Sequence, residues 1–228
     1  MWTEGLAYTP PEALLRRVRL FFLRTAWHGD LMERLWQEAQ KKLESYSFPP
    51  ERLHLFTVPG SFELVHLTGA IVRRYVWRQG FAQAISVKGP TQIQSNLRLP
   101  PFFQGNFDSQ LRSEFLLESP GPIAYFQPYD PGPEGELPVV VSVGCILRGA
   151  TEHHRYLSDA VITNLAYLNA TSGVPIILGV LTPDTLKQAW ERVHQAQDWI
   201  ISAFMTWEAR LEVERLAISS PSAESPSV

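Results

Sequence analysis

The sequence predicts a three-layer α/β/α sandwich built around a central sheet of four parallel strands. Four short apolar runs are each followed by a polar loop and then by a segment with helical periodicity. Strand, loop and helix repeated in this order are typical of parallel strands joined by right-handed helical crossovers. The last two runs consist almost entirely of Val, Ile and Leu, as expected for strands that are covered on both faces.

The first predicted strand, VRLFFL at residues 18–23, precedes a segment with an apolar residue every four positions. This spacing is typical of an amphipathic helix. The other three strands are predicted at residues 53–58, 139–144 and 174–181, and a helix-like segment follows each of them. A last amphipathic stretch, residues 198–217, is expected to close the ordered part of the chain.

Three segments do not follow this pattern. Residues 81–136 are rich in proline, glycine, glutamine and aromatics without a sustained period, which predicts a large irregular insertion on the surface. We expect residues 1–17 to form an N-terminal arm, and residues 216–228, a low-complexity tail, to be disordered. The α/β domain itself is therefore predicted over residues 18–215.

Composition excludes several classes of protein. The chain has 228 residues, 45% hydrophobic and 19% charged, with a net charge of −3, which is typical of one globular domain with appended segments. Neither a basic face for nucleic acid nor an apolar run of membrane-spanning length is evident. The single cysteine, Cys145, excludes an intramolecular disulfide, and the histidines lack metal-ligand spacing. The N-terminus does not resemble a secretory signal, so a cytoplasmic protein is expected.

The polar chemistry is concentrated where the four predicted strands end. The segments RTAWHGD, PGSFE, GCILRGATEHHRY and GVLTPDT follow the four strands, whereas the returns from helix to strand are bland. In open parallel sheets, ligands bind beyond the carboxyl ends of the strands. The sequence therefore predicts a binding site at this edge of the sheet.

The third segment suits an anion. Gly149 and Thr151 precede a helix, where free backbone N–H groups and a hydroxyl could bind phosphate. The alternative is structural: Thr151 as a helix N-cap and Gly149 as a turn glycine. His153 is placed to carry a proton near neutral pH, although a surface role is also open; His154 is interpreted as a surface residue.

The first two segments suit a polar heterocycle. Ser61 and Glu63 could bind a polyol, with Gly60 allowing close backbone approach, or they could merely start a helix. Trp27 could stack on a flat ring or pack within the fold. Cys145 is interpreted as a small buried residue rather than as a nucleophile.

Three motifs together resemble the 6,7-dimethyl-8-ribityllumazine synthase family: VPGSFE (58–63), GCILRGATEHHRY (144–156) and GVLTPDTLKQAWER (179–192). The similarity covers residues 18–80 and 137–215 and implies a flavodoxin-like fold. The family condenses 5-amino-6-(D-ribitylamino)uracil with 3,4-dihydroxy-2-butanone 4-phosphate, the penultimate step of riboflavin biosynthesis. The resemblance implies no metal and no organic cofactor.

The resemblance also implies roles for individual residues. His153 would be the general acid/base. The pyrimidine and its ribityl chain would contact Trp27, Gly60, Ser61, Phe62, Glu63, Cys145, Ile146, Leu147 and Leu178. The phosphate would contact Gly149, Ala150, Thr151 and Arg192. In this family the arginine comes from the adjacent subunit, so the resemblance implies a pentamer-based homo-oligomer with shared active sites, and riboflavin synthase as a further partner.

The chain departs from the family pattern at three places. Leu178 stands where the family usually has an aromatic residue, VHQAQDW lacks the lysine that commonly follows the arginine, and Arg155 replaces a frequent acid. Two alternatives to a working synthase therefore stay open. One is a protein that binds a flavin- or lumazine-type ligand without turnover, and the other is a shell-forming assembly protein.

Overall fold

A computed structural model describes residues 6–86, 129–131 and 135–219. Its centre is one sheet of four strands that all run parallel, in the order β2-β1-β3-β4. The strands are β1 (Val18–Thr25), β2 (Leu53–Val58), β3 (Leu137–Cys145) and β4 (Ile176–Leu181). The predicted four-stranded parallel sheet is confirmed.

Helices cover both faces of this sheet. They are α1 (Glu12–Arg17), α2 (Gly29–Ser45), α3 (Ser61–Ser86), α4 (His153–Ser172), α5 (Leu186–Trp190) and α6 (Gln195–Ser219). Helix α3 packs beside α4 on one face, and α2 packs beside α6 on the other. These three layers are the predicted α/β/α sandwich, with a short 3₁₀ turn at Pro50–Arg52 before β2.

Strand β3 lies at the centre of the core. All nine of its residues are buried, which explains why its sequence is apolar without alternation. Each buried valine there stabilises the fold by about 1.5–3 kcal/mol through removal of apolar surface from water. The two edge strands differ, because Leu55 and Phe56 of β2 and Leu178 of β4 are exposed.

The two helical segments predicted after β4 are present, but they divide at an earlier point, because α6 begins at Gln195 and not at residue 198. Helix α5 ends at Trp190, and residues 191–194 form a turn closed by hydrogen bonds from Arg192 N to Ala189 O (3.0 Å) and from Gln195 N to Arg192 O (3.0 Å). The turn redirects the chain so that α6 can bury Phe204 and Trp207 against the sheet.

Two predicted boundaries shift as well. Helix α3 continues through residues 81–86, which were assigned to the insertion, and α6 continues through residues 216–219, which were assigned to the tail. The rest of the predicted tail lies outside the described residues, and so do residues 87–128 and 132–134 of the predicted insertion. Within the described part of the chain, no helix is both long and apolar enough to cross a membrane.

The described part of the predicted arm packs on the domain. Leu6 N donates to Asp198 Oδ1 of α6 at 3.0 Å, and the Tyr8 hydroxyl donates to Glu208 of α6 at 2.7 Å. The Tyr46 hydroxyl, just after α2, donates to the Tyr8 carbonyl at 2.6 Å. These contacts tie residues 6–8 to the face formed by α2 and α6.

A buried carboxylate joins α2 to the beginning of α6. Glu38 Oε1 accepts from Lys41 Nζ at 2.8 Å and lies 2.7 Å from Arg34, while Glu38 Oε2 accepts from Gln197 Nε2 at 2.7 Å. The hydrogen bonds from Lys41 and Gln197 hold the pKa of the Glu38 carboxyl below its usual value of 4.5. The ionised carboxylate therefore stabilises the folded chain.

Glu38→Gln tests this link. We expect the free energy of unfolding to fall by about 2 kcal/mol at neutral pH, because charge-assisted hydrogen bonds are lost. The contribution of Glu38 is present above the unfolded pKa and is lost as the pH falls through the lower folded pKa. Urea denaturation at neutral pH and at about pH 3.5 should therefore show the difference between the two proteins shrinking in acid. Glu44→Gln, at an exposed position of the same helix, is the control and should cost about 0.5 kcal/mol or less; a pH-independent loss in Glu38→Gln would contradict the assignment.

Candidate functional site

The strand order creates a crevice at the carboxyl edge of the sheet. From β1 the chain passes through α2 to β2 on one side, whereas from β3 it passes through α4 to β4 on the other side. Because α2 and α4 cover opposite faces, the two connections diverge between the ends of β1 and β3. Such a divergence is where open parallel sheets bind ligands.

Trp27 and Glu63 converge at Gly60. A β-carbon built on Gly60 would lie 3.0 Å from Glu63 Oε2, 3.7 Å from Trp27 Cδ1 and 3.8 Å from Trp27 Nε1. Trp27 is 70% exposed, so its indole is presented to solvent and does not pack in the core. An exposed aromatic face beside a carboxylate is suited to a flat, polar heterocycle.

Ser61 connects this group to β3. A β-carbon on Gly144 would lie 2.9 Å from Ser61 Oγ, 3.2 Å from Leu64 Cδ1 and 3.3 Å from Thr25 Cγ2. Ser61 is 7% exposed, and its hydroxyl makes no hydrogen bond with any other described residue. Since polar groups at low exposure are normally paired, this hydroxyl is available to a ligand in the crevice. Helix α3 begins at Ser61 with Glu63 in its first turn, so the two residues do start a helix as well as lie at the crevice.

The turn after β1 has an unusual backbone. His28 adopts φ 57° and ψ 51°, the left-handed region that residues other than glycine and asparagine rarely occupy. The chain reaches it after Ala26 N has donated to Val58 O at 2.7 Å, which extends the pairing of β1 with β2. Trp27 is held between these two features, and the strain of about 1–3 kcal/mol at His28 lies directly beside it.

The loop after β3 is anchored to the loop after β4. Ile146 N donates to Leu181 O at 2.8 Å, and Arg148 N donates to Pro183 O at 3.2 Å. Beyond these anchors Gly149, Ala150 and Thr151 are exposed. Gly149 has no left-handed φ, and a β-carbon on it would meet nothing within 4 Å. Neither the turn nor the packing requires a glycine there, so its alternative interpretation as a turn glycine is not supported.

The beginning of α4 places two histidines differently from the sequence expectation. The N-cap is Glu152, without a side-chain capping bond, so the interpretation of Thr151 as the cap is wrong. His153 is the first residue of the helix; its exposed imidazole is not hydrogen-bonded to any described residue. His154 Nδ1 instead lies 2.8 Å from Thr151 O. Arg155 lies 3.8 Å from Glu152 in an exposed ion pair, so it is directed to that carboxylate.

Two of the predicted site residues lie apart from this group. Leu178, 44% exposed, is on the outer strand β4, and β3 and the end of β1 separate it from Trp27. Arg192 is in the turn between α5 and α6 rather than late in a helix. Its guanidinium forms no ion pair or hydrogen bond with any residue in the described ranges.

Three further predicted residues end strand β3 and begin its loop. Cys145 and Ile146 are buried and Leu147 is half-buried, so the side chains of the first two face the core. Burial raises the pKa of the Cys145 thiol to about 11, which leaves it protonated and unreactive at neutral pH. Phe62, in contrast, is exposed next to Ser61. Across the described ranges of the chain, no group of three or more His, Cys, Asp or Glu residues could hold a metal ion.

Sequence reasoning missed Thr25, Gly144 and the conformation of His28. Thr25 was not found because the predicted strand ended at residue 23, whereas β1 continues to Thr25. A signal did exist for Gly144, since glycine within a strand often marks a close approach of another segment. No sequence pattern indicates that His28 is left-handed.

The sequence model of the family described as 6,7-dimethyl-8-ribityllumazine synthase matches residues 130–210. The match includes β3, the loop with Gly149 and Thr151, β4 and the turn with Arg192. It confirms the resemblance, supports a transferase of the lumazine synthase type, and associates the chain with riboflavin biosynthesis in general. Trp27 and residues 60–63 lie outside the match, and their place in the site depends on the geometry given above.

Gly144→Ala tests the contact between α3 and β3. The added methyl would lie within 3.3 Å of three side-chain atoms, including Ser61 Oγ. We expect a loss of about 1–3 kcal/mol in the free energy of unfolding, measured in urea, because the buried site has no room to relax. Gly69→Ala is the matched control, since its β-carbon would come near only the mobile end of Arg73, at 3.1 Å, within a helix that favours alanine. Equal stability of the two variants would refute the close approach.

Proposed function

We propose that the chain catalyses the reaction of the 6,7-dimethyl-8-ribityllumazine synthase family, whose sequence model matches residues 130–210. It condenses 5-amino-6-(D-ribitylamino)uracil with 3,4-dihydroxy-2-butanone 4-phosphate to 6,7-dimethyl-8-ribityllumazine. The observation that carries the proposal is the convergence of Trp27, Glu63 and Ser61 on the crevice between β1 and β3, outside the matched residues. Two halves of the chain thus contribute complementary groups to one edge of the sheet.

The pyrimidine stacks on the exposed indole of Trp27 in this proposal. Its ribityl chain lies along the beginning of α3, where the unpaired Ser61 hydroxyl and the Glu63 carboxylate offer one donor and two acceptor oxygens. A polyol presents alternating hydroxyls that match such a mixture. Phe62, exposed between them, covers the outer side of the ligand. Cys145, Ile146 and Leu147 contribute the floor of the site through their backbone.

The phosphate of the second substrate occupies the loop at Gly149, Ala150 and Thr151. Free N–H groups of the first turn of α4 and the positive end of its helix dipole attract an anion there. The fold does not require a glycine at position 149, and the absence of a side chain there leaves room for phosphate oxygens. Thr151 does not cap the helix, so its hydroxyl is a further donor to the phosphate.

His153 transfers protons between the two substrates. The amine of the pyrimidine adds to the carbonyl of the phosphorylated ketone and water is lost, which forms an imine. Phosphate then leaves, and the ribityl-bearing nitrogen closes the ring with loss of a second water. Each step moves a proton, and an imidazole within reach of both substrates can give and accept it. His153 has this freedom because no described residue holds its ring, unlike that of His154.

The site is completed by a neighbouring subunit. Leu55 and Phe56 are exposed at the β2 edge of the sheet, and Leu178, Leu186 and Trp190 are exposed on β4 and α5 at the opposite edge. A contact between two different edges is heterologous, and a heterologous contact forms a ring when the rotation between neighbouring subunits closes. A pentamer-based ring would carry Arg192 of one subunit to the phosphate loop of the next. Riboflavin synthase, which uses the product, is a further partner of this assembly.

A second candidate is a protein that binds a ribityl compound without turnover. It is favoured by Leu178, which provides no aromatic face, and by the absence of a lysine from residues 193–199. The assay below separates the two functions.

Turnover should depend on His153. We expect the purified chain to form lumazine from the two substrates, and His153→Ala to lower kcat by roughly 10²–10⁴-fold because general acid/base catalysis is lost. His154→Ala is the matched control, adjacent and of the same type, and should keep kcat within about threefold. Absorbance of the lumazine product measures both. A wild-type chain that binds the ribityl substrate but yields no lumazine would be the non-catalytic binder, and an unaffected His153→Ala would refute the role of the histidine.

Mixing two inactive variants tests the shared site. Arg192→Ala and His153→Ala each remove one contribution, and subunits refolded together should regain about a quarter of the wild-type sites, because in a ring some interfaces combine two intact halves. Activity before and after co-refolding measures the recovery. His153→Ala mixed with His153→Asn is the control and should stay inactive. A strictly monomeric chain by native mass spectrometry, or no recovery from an oligomer, would contradict the sharing of sites between subunits.

A further inference from the structure

A buried pair of hydroxyls joins α3 to β3 beneath the crevice. Thr68 Oγ1 and Ser142 Oγ lie 2.9 Å apart, and either oxygen can be the donor. Both residues have 0% exposure, so the pair has no access to water. It is the one side-chain hydrogen bond between α3 and β3 recorded in the described part of the chain.

The pair belongs to the same seam that holds Ser61. Ser61, Leu64 and Thr68 follow one another at helical spacing on the buried side of α3. Ser61 and Leu64 lie against Gly144, and Thr68 bonds to Ser142, which is two residues earlier on the same face of β3. The helix and the strand therefore meet at two consecutive points. The first is the close contact at Gly144, and the second is the hydrogen bond between Thr68 and Ser142.

A hydroxyl pair specifies a position in a way that apolar packing does not. Sliding α3 along β3 would exchange one apolar contact for another at little cost, but it would leave two buried hydroxyls unpaired. Leu23 and Val140 are neighbours of Ser142 on the same face of the sheet, and both are buried and apolar, so neither offers a substitute partner. The Thr68–Ser142 bond thus favours a single register of α3 on β3.

We propose that Thr68 and Ser142 are positioning residues that set where the Ser61 hydroxyl stands in the ligand crevice. They contact no ligand themselves and act through the axial position of α3, whose first residue is Ser61. The inference rests on the proposed function, since Ser61 is taken there as a contact of the ribityl chain. It assigns the support of that contact to two core residues, one about two helical turns from Ser61 and the other two strand positions from Gly144.

Substitution of Ser142 should impair binding more than catalysis. In Ser142→Ala we expect KM for 5-amino-6-(D-ribitylamino)uracil to rise about fivefold, the effect of one misplaced hydrogen bond, with kcat within about twofold. Ser61→Ala should give a similar rise. Because both changes remove the same contact, Ser61→Ala combined with Ser142→Ala should equal Ser61→Ala alone. Thr68→Ser, which keeps the hydroxyl, should retain wild-type KM, whereas Thr68→Val should not.

Ser172→Ala is the matched control for stability. Ser172 is also a buried serine, and its hydroxyl accepts from Val174 N at 3.1 Å beyond the opposite end of the sheet. Loss of the Ser172 hydroxyl should lower the midpoint of urea unfolding about as much as Ser142→Ala does, and it should leave KM unchanged. Hydrogen exchange of the free protein gives a readout that needs no substrate, since Ser142→Ala should speed exchange at the amides of residues 64–68 and Ser172→Ala should not.

Failure of this inference differs from failure of the proposed function. If Ser142→Ala loses stability with KM and exchange at residues 64–68 unchanged, or if its effect multiplies with that of Ser61→Ala, the positioning role is overturned while the function stands. Binding of the ribityl substrate is measured by quenching of tryptophan fluorescence. If the wild-type protein neither binds this substrate nor turns it over, the proposed function is refuted, and the positioning of a ligand contact is refuted with it.

Discussion

The approach of α3 to β3 at Gly144 is the contact on which the site depends. A helix can come this close only where the strand has no side chain, and Ser61, Leu64 and Thr25 occupy the space that one would fill. The consequence extends along the helix in both directions. Toward its beginning, the contact brings Ser61, Phe62 and Glu63 beside the end of β1, where Trp27 stands; toward its interior, Thr68 bonds to Ser142. The missing β-carbon thus allows the close packing of the layer, and in our proposal the hydroxyl pair sets the register that places the polar groups at its end.

The two halves of the crevice are supported by different means. On the β1 and β2 side, side chains converge on a short, strained turn at His28 and on Gly60. On the β3 and β4 side, the loop is held through its backbone by Leu181 and Pro183, and its side chains stay free. Such a division suits two substrates of different chemistry, since a planar heterocycle needs fixed surfaces and a phosphate needs converging N–H donors.

How far the sequence predicts this structure depends on the range of the interactions involved. Alternation of apolar runs and helical periods is local, and it predicted the four strands, their parallel arrangement and the edge at which polar loops gather. The division between α5 and α6 was predicted near residue 197, but the turn lies at residues 191–194, because these residues have good helix propensities and only packing on the sheet redirects them. The pairing of Ser61 with Gly144 joins residues far apart in the chain, so no local pattern could show it. Phosphate-loop residues were recognised by type, yet the cap at Glu152 was decided by backbone geometry that the sequence does not reveal.

The charge balance at the proposed phosphate loop favours a site that is shared between two chains. A bound phosphate monoester carries a charge of about −1.5 to −2. The beginning of α4 offers the equivalent of about half a positive charge, and Arg148, the cation in the loop, lies 3.5 Å from Asp184. Arg192 has no acidic partner within the described ranges, but it stands on the β4 side of the molecule, beyond the edge where Leu178 and Trp190 are exposed. An unpaired guanidinium on one chain and an anion site short of positive charge on another chain are complementary. In the proposed ring of identical chains the two would meet at each interface, and each subunit would then both give and receive the cation that its own fold lacks.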